Sequence, residues 1–259
     1  MKRSLLVFAI LALAASARAE LVSKPVEYTQ GGTVLEGYLV WDTALKGTRP
    51  GVMVVHEWWG LNDFARNRAD ELARMGYVAF AADMYGKGVS TTDAKKAMEL
   101  SAPFRGTPLM RERVKAGFDV LLKQELVDPR RTGAIGFCFG GTAVFELAYS
   151  GAAVAGVVSF HGNLPAPKTE DYANIKASVL ALHGANDSFV TQEAIDQFQK
   201  AMREAGVDWQ MVLFGGAVHS FTNPDAGKFG IEGIAYNEKA ARRSWEYMKT
   251  FFDEVFAKR

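Results

Sequence analysis

The sequence predicts an α/β domain, a mostly parallel central sheet with helices on both faces. Three observations lead there. Apolar runs alternate with amphipathic ones along the chain, without internal repeat, low-complexity tract or long linker. Several apolar runs are continuous rather than alternating, as in strands covered on both sides. The segments between them carry apolar residues at helical spacing, which read as core-facing stripes.

The elements follow in order. Val34 to Trp41 reads as an early strand. Gly51 to Glu57, "GVMVVHE", is a doubly covered central strand. Asn62 can cap a helix with Phe64, Ala65, Leu72 and Met75 on its apolar positions and Gly76 as its stop. Tyr77 to Asp83 is the next strand, and Gly86 to Pro108 is irregular with one short helical piece. Arg111 to Leu122 reads as a helix, Thr132 to Phe137 as a strand and Gly141 to Tyr149 as a helix. "AVAGVVSFHG" and "ASVLALHG" are buried strands that end in the same His-Gly pair. Thr191 to Ala205 is a helix with Ile195, Phe198, Met202 and Ala205 on one face, and "WQMVLF" is the last strand. Ala241, Trp245, Met248, Phe252 and Val255 form the inward stripe of a C-terminal helix.

The first nineteen of the 259 residues read as an export leader: Lys2 and Arg3, an apolar stretch over Leu5 to Ala15, then Ala17-Arg18-Ala19. Residues 20–259 are then one domain, with 27 basic and 29 acidic residues. A near-neutral chain without a basic block argues against nucleic acid as partner. After the leader no apolar run is long enough for a membrane helix; the leader itself makes the expected location periplasmic or secreted. A hydrophobic content of 49% suits a substantial core. The single cysteine, Cys138, cannot form an internal disulfide and calls for another explanation.

Cys138 lies in "TGAIGFCFGG". Gly136-x-Cys138-x-Gly140 follows a predicted strand and opens a predicted helix, the context of a nucleophile elbow. Strand and helix pass close together there, so the residues two before and two after must be small. The helix N-terminus favours a thiolate. The motif alone fits a buried structural cysteine beside packing glycines equally well. The partners shift that balance. An elbow nucleophile needs an acid and then a histidine later in the chain, each past a strand end. Asp187 in "HGANDSFV" and His219 in "AVHSF" occupy such positions. Alone, Asp187 could be a turn residue and His219 a loop histidine. Together they suggest a triad in which Cys138 attacks, His219 moves the proton and Asp187 fixes the imidazole tautomer. The oxyanion hole would be the backbone N–H groups of Phe139 and Trp58. No metal is expected. "HEWWG" has Gly60 where a zinc motif needs its second histidine, and His56, His161, His183 and His219 have no ligand spacing. No Gly-rich phosphate loop of the Walker type is present either, and no cofactor is expected.

Taken together, "HEWWG", "ADMYGKG", "IGFCFGG", "HGANDSFV" and "AVHSF" resemble, in order, the motifs of dienelactone hydrolases, the carboxymethylenebutenolidase group of the α/β-hydrolase fold. The resemblance implies that fold and cleavage of an ester or lactone of a small molecule. It also implies a catalytic role for Glu57, as a carboxylate that draws the proton from the thiol once substrate binds. Two arginines of that family hold the substrate carboxylate. Lys87 and Asn223 stand in their places, which keeps one charge without the bidentate fork and loses the other. Trp59, Tyr85 and His161, with Trp58, are expected pocket walls. The rivals are a broad carboxylesterase or thioesterase and a non-catalytic binding module on the same fold. A monomer or small homo-oligomer fits either enzyme.

Overall fold

In the computed structural model, which describes residues 20–258, the chain opens with a hairpin. Strands β1 (Leu21–Gln30) and β2 (Thr33–Asp42) pair antiparallel, with Gln30 opposite Thr33. Gly31 and Gly32 join them at φ of 54° and 77°, the left-handed conformation that a two-residue turn of this twist requires. The expected strand at Val34–Trp41 is β2, and β1 is an element the sequence reading did not anticipate. The expected leader, residues 1–19, lies outside the described residues.

Six further strands complete one sheet in the order β1-β2-β4-β3-β5-β6-β7-β8. They are β3 (Arg49–Val55), β4 (Val78–Ala82), β5 (Val127–Phe137), β6 (Gly156–Phe160), β7 (Ser178–Gly184) and β8 (Trp209–Phe214). From β4 to β8 every neighbouring pair is parallel, and β2 joins β4 antiparallel. This is the mostly parallel sheet of the α/β-hydrolase fold. The helices are α1 (Asp63–Arg74), α2 (Ala94–Ser101), α3 (Pro108–Leu122), α4 (Phe139–Tyr149), α5 (Gln192–Glu204) and α6 (Glu238–Ala257).

Alternation along the strands builds two cores. Met53 and Val55 of β3 pack with Val114 and Phe118 of α3, Phe145 of α4 and Phe198 of α5. Val52 and Val54 point the other way, to Leu72 of α1 and Met248 and Phe252 of α6. The sheet is therefore buried on both faces, as its continuous apolar strands require.

Several boundaries differ from the sequence reading for local reasons. Helix α3 begins at Pro108 rather than Arg111, because proline is tolerated where the helix has no N–H to satisfy. Helix α4 begins at Phe139 rather than Gly141, directly after the cysteine. Strand β5 begins at Val127 rather than Thr132, with a register shift opposite Pro50 and Gly51. The buried stripe of α6 includes Ala240, Ser244, Met248, Phe252 and Val255, so Ala241 and Trp245 lie at its half-buried edge.

Candidate active site

Five parallel strands, β3 and β5 to β8, bring their C-terminal ends to one edge of the sheet, where Glu57, Cys138, His161, Asp187 and His219 follow them. That edge is where ligands bind in open α/β sheets.

Cys138 lies between the last residue of β5 and the first of α4, at φ 52° and ψ −113°. A non-glycine residue held there is strained. The flanking glycines permit the turn. A Cβ on Gly136 would overlap the Gly140 carbonyl, and one on Gly140 would overlap the Val55 carbonyl. At Gly141 it would meet Ser159 Oγ at 2.7 Å and Gly162 Cα at 2.8 Å. The Cys138 N–H donates to Phe160 O at 3.0 Å and to His161 Nδ1 at 3.1 Å.

His219 donates through Nδ1 to Asp187 Oδ2 at 2.8 Å, while Asp187 Oδ1 accepts the Phe189 N–H at 2.9 Å. Its own loop is pinned from the far side. The His219 N–H donates to Gly233 O, and its carbonyl accepts the Ala235 N–H. Burial opposes protonation of His219. The Cys138 charge, the Asp187 hydrogen bond and the Cys138 hydrogen bond outweigh that and push it up to about 10. His183 lies beside the same carboxylate, with Nε2 3.9 Å from Asp187 Oδ2, and burial lowers its pKa.

Glu57 is buried and faces the His219 loop, not the solvent. Its Oε1 accepts the Ser220 hydroxyl at 2.9 Å and its Oε2 accepts Asn223 Nδ2 at 2.6 Å. Burial raises its pKa, with those two hydrogen bonds and the charges of His219 and Arg68 pulling the other way. Arg68 Nη2 holds the Thr222 carbonyl of the same loop at 2.9 Å.

A cavity of about 710 Å³ opens in front of Cys138. Trp58, Phe104, Phe139, Tyr149 and Phe189 supply its apolar wall, and Arg105 and Arg111 stand among its polar residues. Arg111 is committed to Asp171 at 2.9 Å and to Glu146 at 2.9 Å. Trp58 and Phe139 flank the cysteine, and among the described residues neither backbone N–H has an acceptor within the chain.

Four residues expected on the pocket wall, and Asn223 expected to contact substrate, are not among the residues that line the cavity. Lys87 is exposed and bridges Glu27 at 2.7 Å and Glu36 at 3.0 Å on the hairpin, because β2 runs beside its loop. Asn223 faces Glu57, whose buried carboxylate needs a donor. Trp59 is buried and stacks on Phe229 at 4.1 Å. Tyr85 points its hydroxyl at the Trp58 carbonyl, 3.0 Å away. His161 lies beneath Cys138 and hydrogen-bonds Thr222 Oγ1 at 2.7 Å through Nε2, and burial keeps it well below its ordinary pKa. Of the aromatic walls expected, only Trp58 lines the cavity. Ser220, Thr222 and Phe189 were not anticipated. Their signal in the sequence is closeness to His219 or Asp187, within three residues in each case.

Comparison with known proteins agrees with this architecture. Residues 35–256 match the model of the Dienelactone hydrolase family. "Protein usf" of Aquifex pyrophilus is 30% identical over 244 residues, 88% of this chain and 97% of that protein. The crystal structure of a dienelactone hydrolase-like promiscuous phosphotriesterase, P91, from metagenomic libraries superposes with a TM-score of 0.88. It is 41% identical and covers 92% of this chain and 99% of that one. A solved structure called m3DLH superposes equally well, at 43% identity, over 91% of this chain and 99% of its own.

Proposed function

This chain belongs to the dienelactone hydrolase family of hydrolases, and from that premise we propose that it cleaves an ester, thioester or lactone bond of a small molecule with Cys138 as nucleophile. The observation that carries the proposal is the strained Cys138 at the floor of the cavity, with an imidazole beside it whose Nδ1 is held by a buried carboxylate. Strain of this kind persists where the surroundings enforce it.

The proposed steps are these. Asp187 orients the His219 ring through Nδ1, and Nε2 takes the thiol proton and holds it, in keeping with a pKa pushed up to about 10. The sulfur attacks the substrate carbonyl carbon, and the carbonyl electron pair moves onto oxygen. The free N–H groups of Trp58 and Phe139 receive that oxyanion. As the carbonyl re-forms, the bond to the leaving group breaks, and protonated His219 gives its proton to the leaving oxygen or sulfur. The acyl group now forms a thioester with Cys138. His219 then takes a proton from water, the hydroxide attacks the thioester, and the acid leaves as the thiol is restored. Each step uses a side chain or backbone group of this chain.

Glu57 acts in this scheme as the anchor of the His219 loop. Ser220 and Asn223 both donate to it, and Ser220 directly follows the histidine at a strained φ of 54°. With Lys87 and Asn223 turned away from the cavity, the two residues in the family's arginine positions give a substrate carboxylate no contact, and among the described residues Arg105 is left as the cavity's cation outside an ion pair. Neutral small esters need neither of the missing contacts and belong among the substrates we propose, beside carboxylated lactones.

A second activity has support from one relative, the promiscuous phosphotriesterase at 41% identity. A phosphotriester is neutral, and the same thiol, base and N–H donors serve attack at phosphorus. The test is a panel on residues 20–259: neutral carboxylic esters, thioesters, an anionic lactone and a neutral phosphotriester. Turnover of at least one ester class, abolished by alkylation of Cys138, supports the proposal. Alkylation that alters ligand binding while no substrate is ever turned over favours a binding module. Export is proposed on residues 1–19, and mass spectrometry of the protein from its native host should find an N-terminus at or near Glu20. A full-length chain retained in the cytosol would sink that part.

A further inference from the structure

Three aromatic rings stand behind the two N–H groups assigned to the oxyanion. His56 packs on Tyr85 at 5.0 Å and stacks on Phe139 at 5.9 Å, and Tyr85 lies 5.5 Å from Phe139. His56 is fully buried and both of its nitrogens are engaged. The Met84 N–H donates to Nε2 at 3.2 Å, so Nε2 carries the lone pair and Nδ1 carries the proton. Nδ1 donates to the carbonyl of Glu57. That carbonyl belongs to the same planar peptide unit as the Trp58 N–H. The next carbonyl along, that of Trp58 itself, accepts the Tyr85 hydroxyl at 3.0 Å. Trp58 is thus tied at the carbonyls on both sides of its Cα, and Phe139, the other donor residue, is held by ring contacts with the same two side chains. The Gly60 N–H also reaches the Glu57 carbonyl, more distantly at 3.3 Å. Burial lowers the His56 pKa, which keeps the neutral tautomer in place.

We propose that His56 and Tyr85 are positioning residues for the oxyanion hole, setting the direction of the Trp58 N–H and the seat of Phe139 without touching substrate. A donated hydrogen bond at the Glu57 carbonyl fixes the peptide plane and polarises the N–H at its other end. Preorganised donors of this kind carry much of the rate in acyl transfer, and one lost donor typically costs about 10²–10³ in kcat. Partial misdirection of one donor should cost less, about tenfold. The inference rests on the thiol mechanism and the oxyanion assignment above.

The test compares Tyr85→Phe, His56→Asn and His56→Gln with wild type by two reactions at the same cysteine. Hydrolysis of p-nitrophenyl acetate passes through an oxyanion. Alkylation by iodoacetamide needs the thiolate but forms no oxyanion. Tyr85→Phe should lower kcat about tenfold with KM within about twofold, and leave the alkylation rate unchanged. His56→Asn retains a donor where Nδ1 stood, and His56→Gln retains an acceptor where Nε2 stood. Asn should therefore keep more of kcat than Gln, at similar thermal stability. Equal turnover by Asn and Gln, or turnover and alkylation falling together, would reduce both residues to supports of the fold. A Tyr85→Phe enzyme with wild-type kcat would overturn the proposal on its own, even if the His56 variants fail to fold. Failure of the underlying mechanism looks different, since turnover would then survive in Cys138→Ala.

Discussion

The two sides of Cys138 are built on opposite terms. Behind it lies a wall of Glu57, His161, Ser220, Thr222 and Asn223, all buried and each side chain hydrogen-bonded to another of that wall. In front lies the open cavity, where Arg105 is exposed and Phe189 is 51% exposed against the His219 ring. Strain is distributed the same way. Among the described residues, the non-glycine residues at positive φ are Cys138, His161 and Ser220, and each belongs to the buried side or its border. Elsewhere among the described residues glycine occupies such conformations. A wall that must hold a thiol, an imidazole and two N–H groups in register tolerates strain because its hydrogen bonds over-determine it. A cavity that admits substrate needs no such closure. The lesson is that polar residues near a catalytic motif in sequence can belong to the scaffold behind it instead of the pocket before it.

The contrast breaks most completely at the boundary. Cys138→Ala should reduce ester turnover by about 10³-fold or more, as loss of a triad member does. Its circular dichroism should match wild type, because the thiol makes no disulfide. Turnover at wild-type rates would remove the thiol from the reaction.

Within the buried wall, Asn223→Ala strips Glu57 Oε2 of its donor. An unsatisfied buried group costs about 1–3 kcal/mol, more for a charged one. Urea unfolding should register that loss, and kcat should fall as the His219 loop loosens. Asn223→Arg should leave the preference between neutral and anionic esters unchanged, since position 223 faces Glu57. A shift towards the anion in that variant would place residue 223 on the substrate side and contradict the two-wall picture.

The coupling of His219 to Cys138 gives a dependence on pH. His219 is raised from about 6.5 in the unfolded chain to about 10 in the fold. Its contribution to stability is therefore complete below pH 6.5 and is lost as pH climbs through 10. Thermal unfolding across that window should show a decline that is shallower in Cys138→Ala, where the largest raising influence is gone. In a domain of this size each kcal/mol moves Tm by about 2–4 °C. Parallel declines in both proteins would separate the histidine from the thiol.

The smallest effect is expected at Lys87. Its ion pairs with Glu27 and Glu36 are exposed, and such pairs contribute about 0–1 kcal/mol. Lys87→Ala should leave kcat/KM for neutral and anionic esters alike within about twofold. A selective loss on the anionic substrate would return Lys87 to the pocket.

Much of the fold was legible because its signals are local. The continuous apolar strands β3 to β7 announce burial on both faces, and Asn62 and Thr191 cap the helices they precede. The elbow was legible because two crossing backbones leave room only for glycine at 136 and 140. Strand β1 was not, since "LVSKPVEYTQ" is an edge strand with mostly exposed residues and a proline, which edges tolerate. At the site, the strand-end positions of Cys138, Asp187 and His219 follow from their order along the chain. The directions of Lys87, Asn223, Tyr85 and His161 depend on partners 27 to 166 residues away, and no spacing encodes them. Asn223 illustrates the point. Its position implied the cavity, and the buried charge of Glu57 claimed it instead.

The central claim is that an acyl group is carried on Cys138 between two half-reactions. Rapid acid quench of the enzyme during turnover of p-nitrophenyl acetate, followed by peptide mass spectrometry, tests it directly. One acetyl group on the peptide containing Cys138, absent from Cys138→Ala, is the result expected. Steady turnover with an unmodified Cys138 and the acetyl group on another side chain would contradict it.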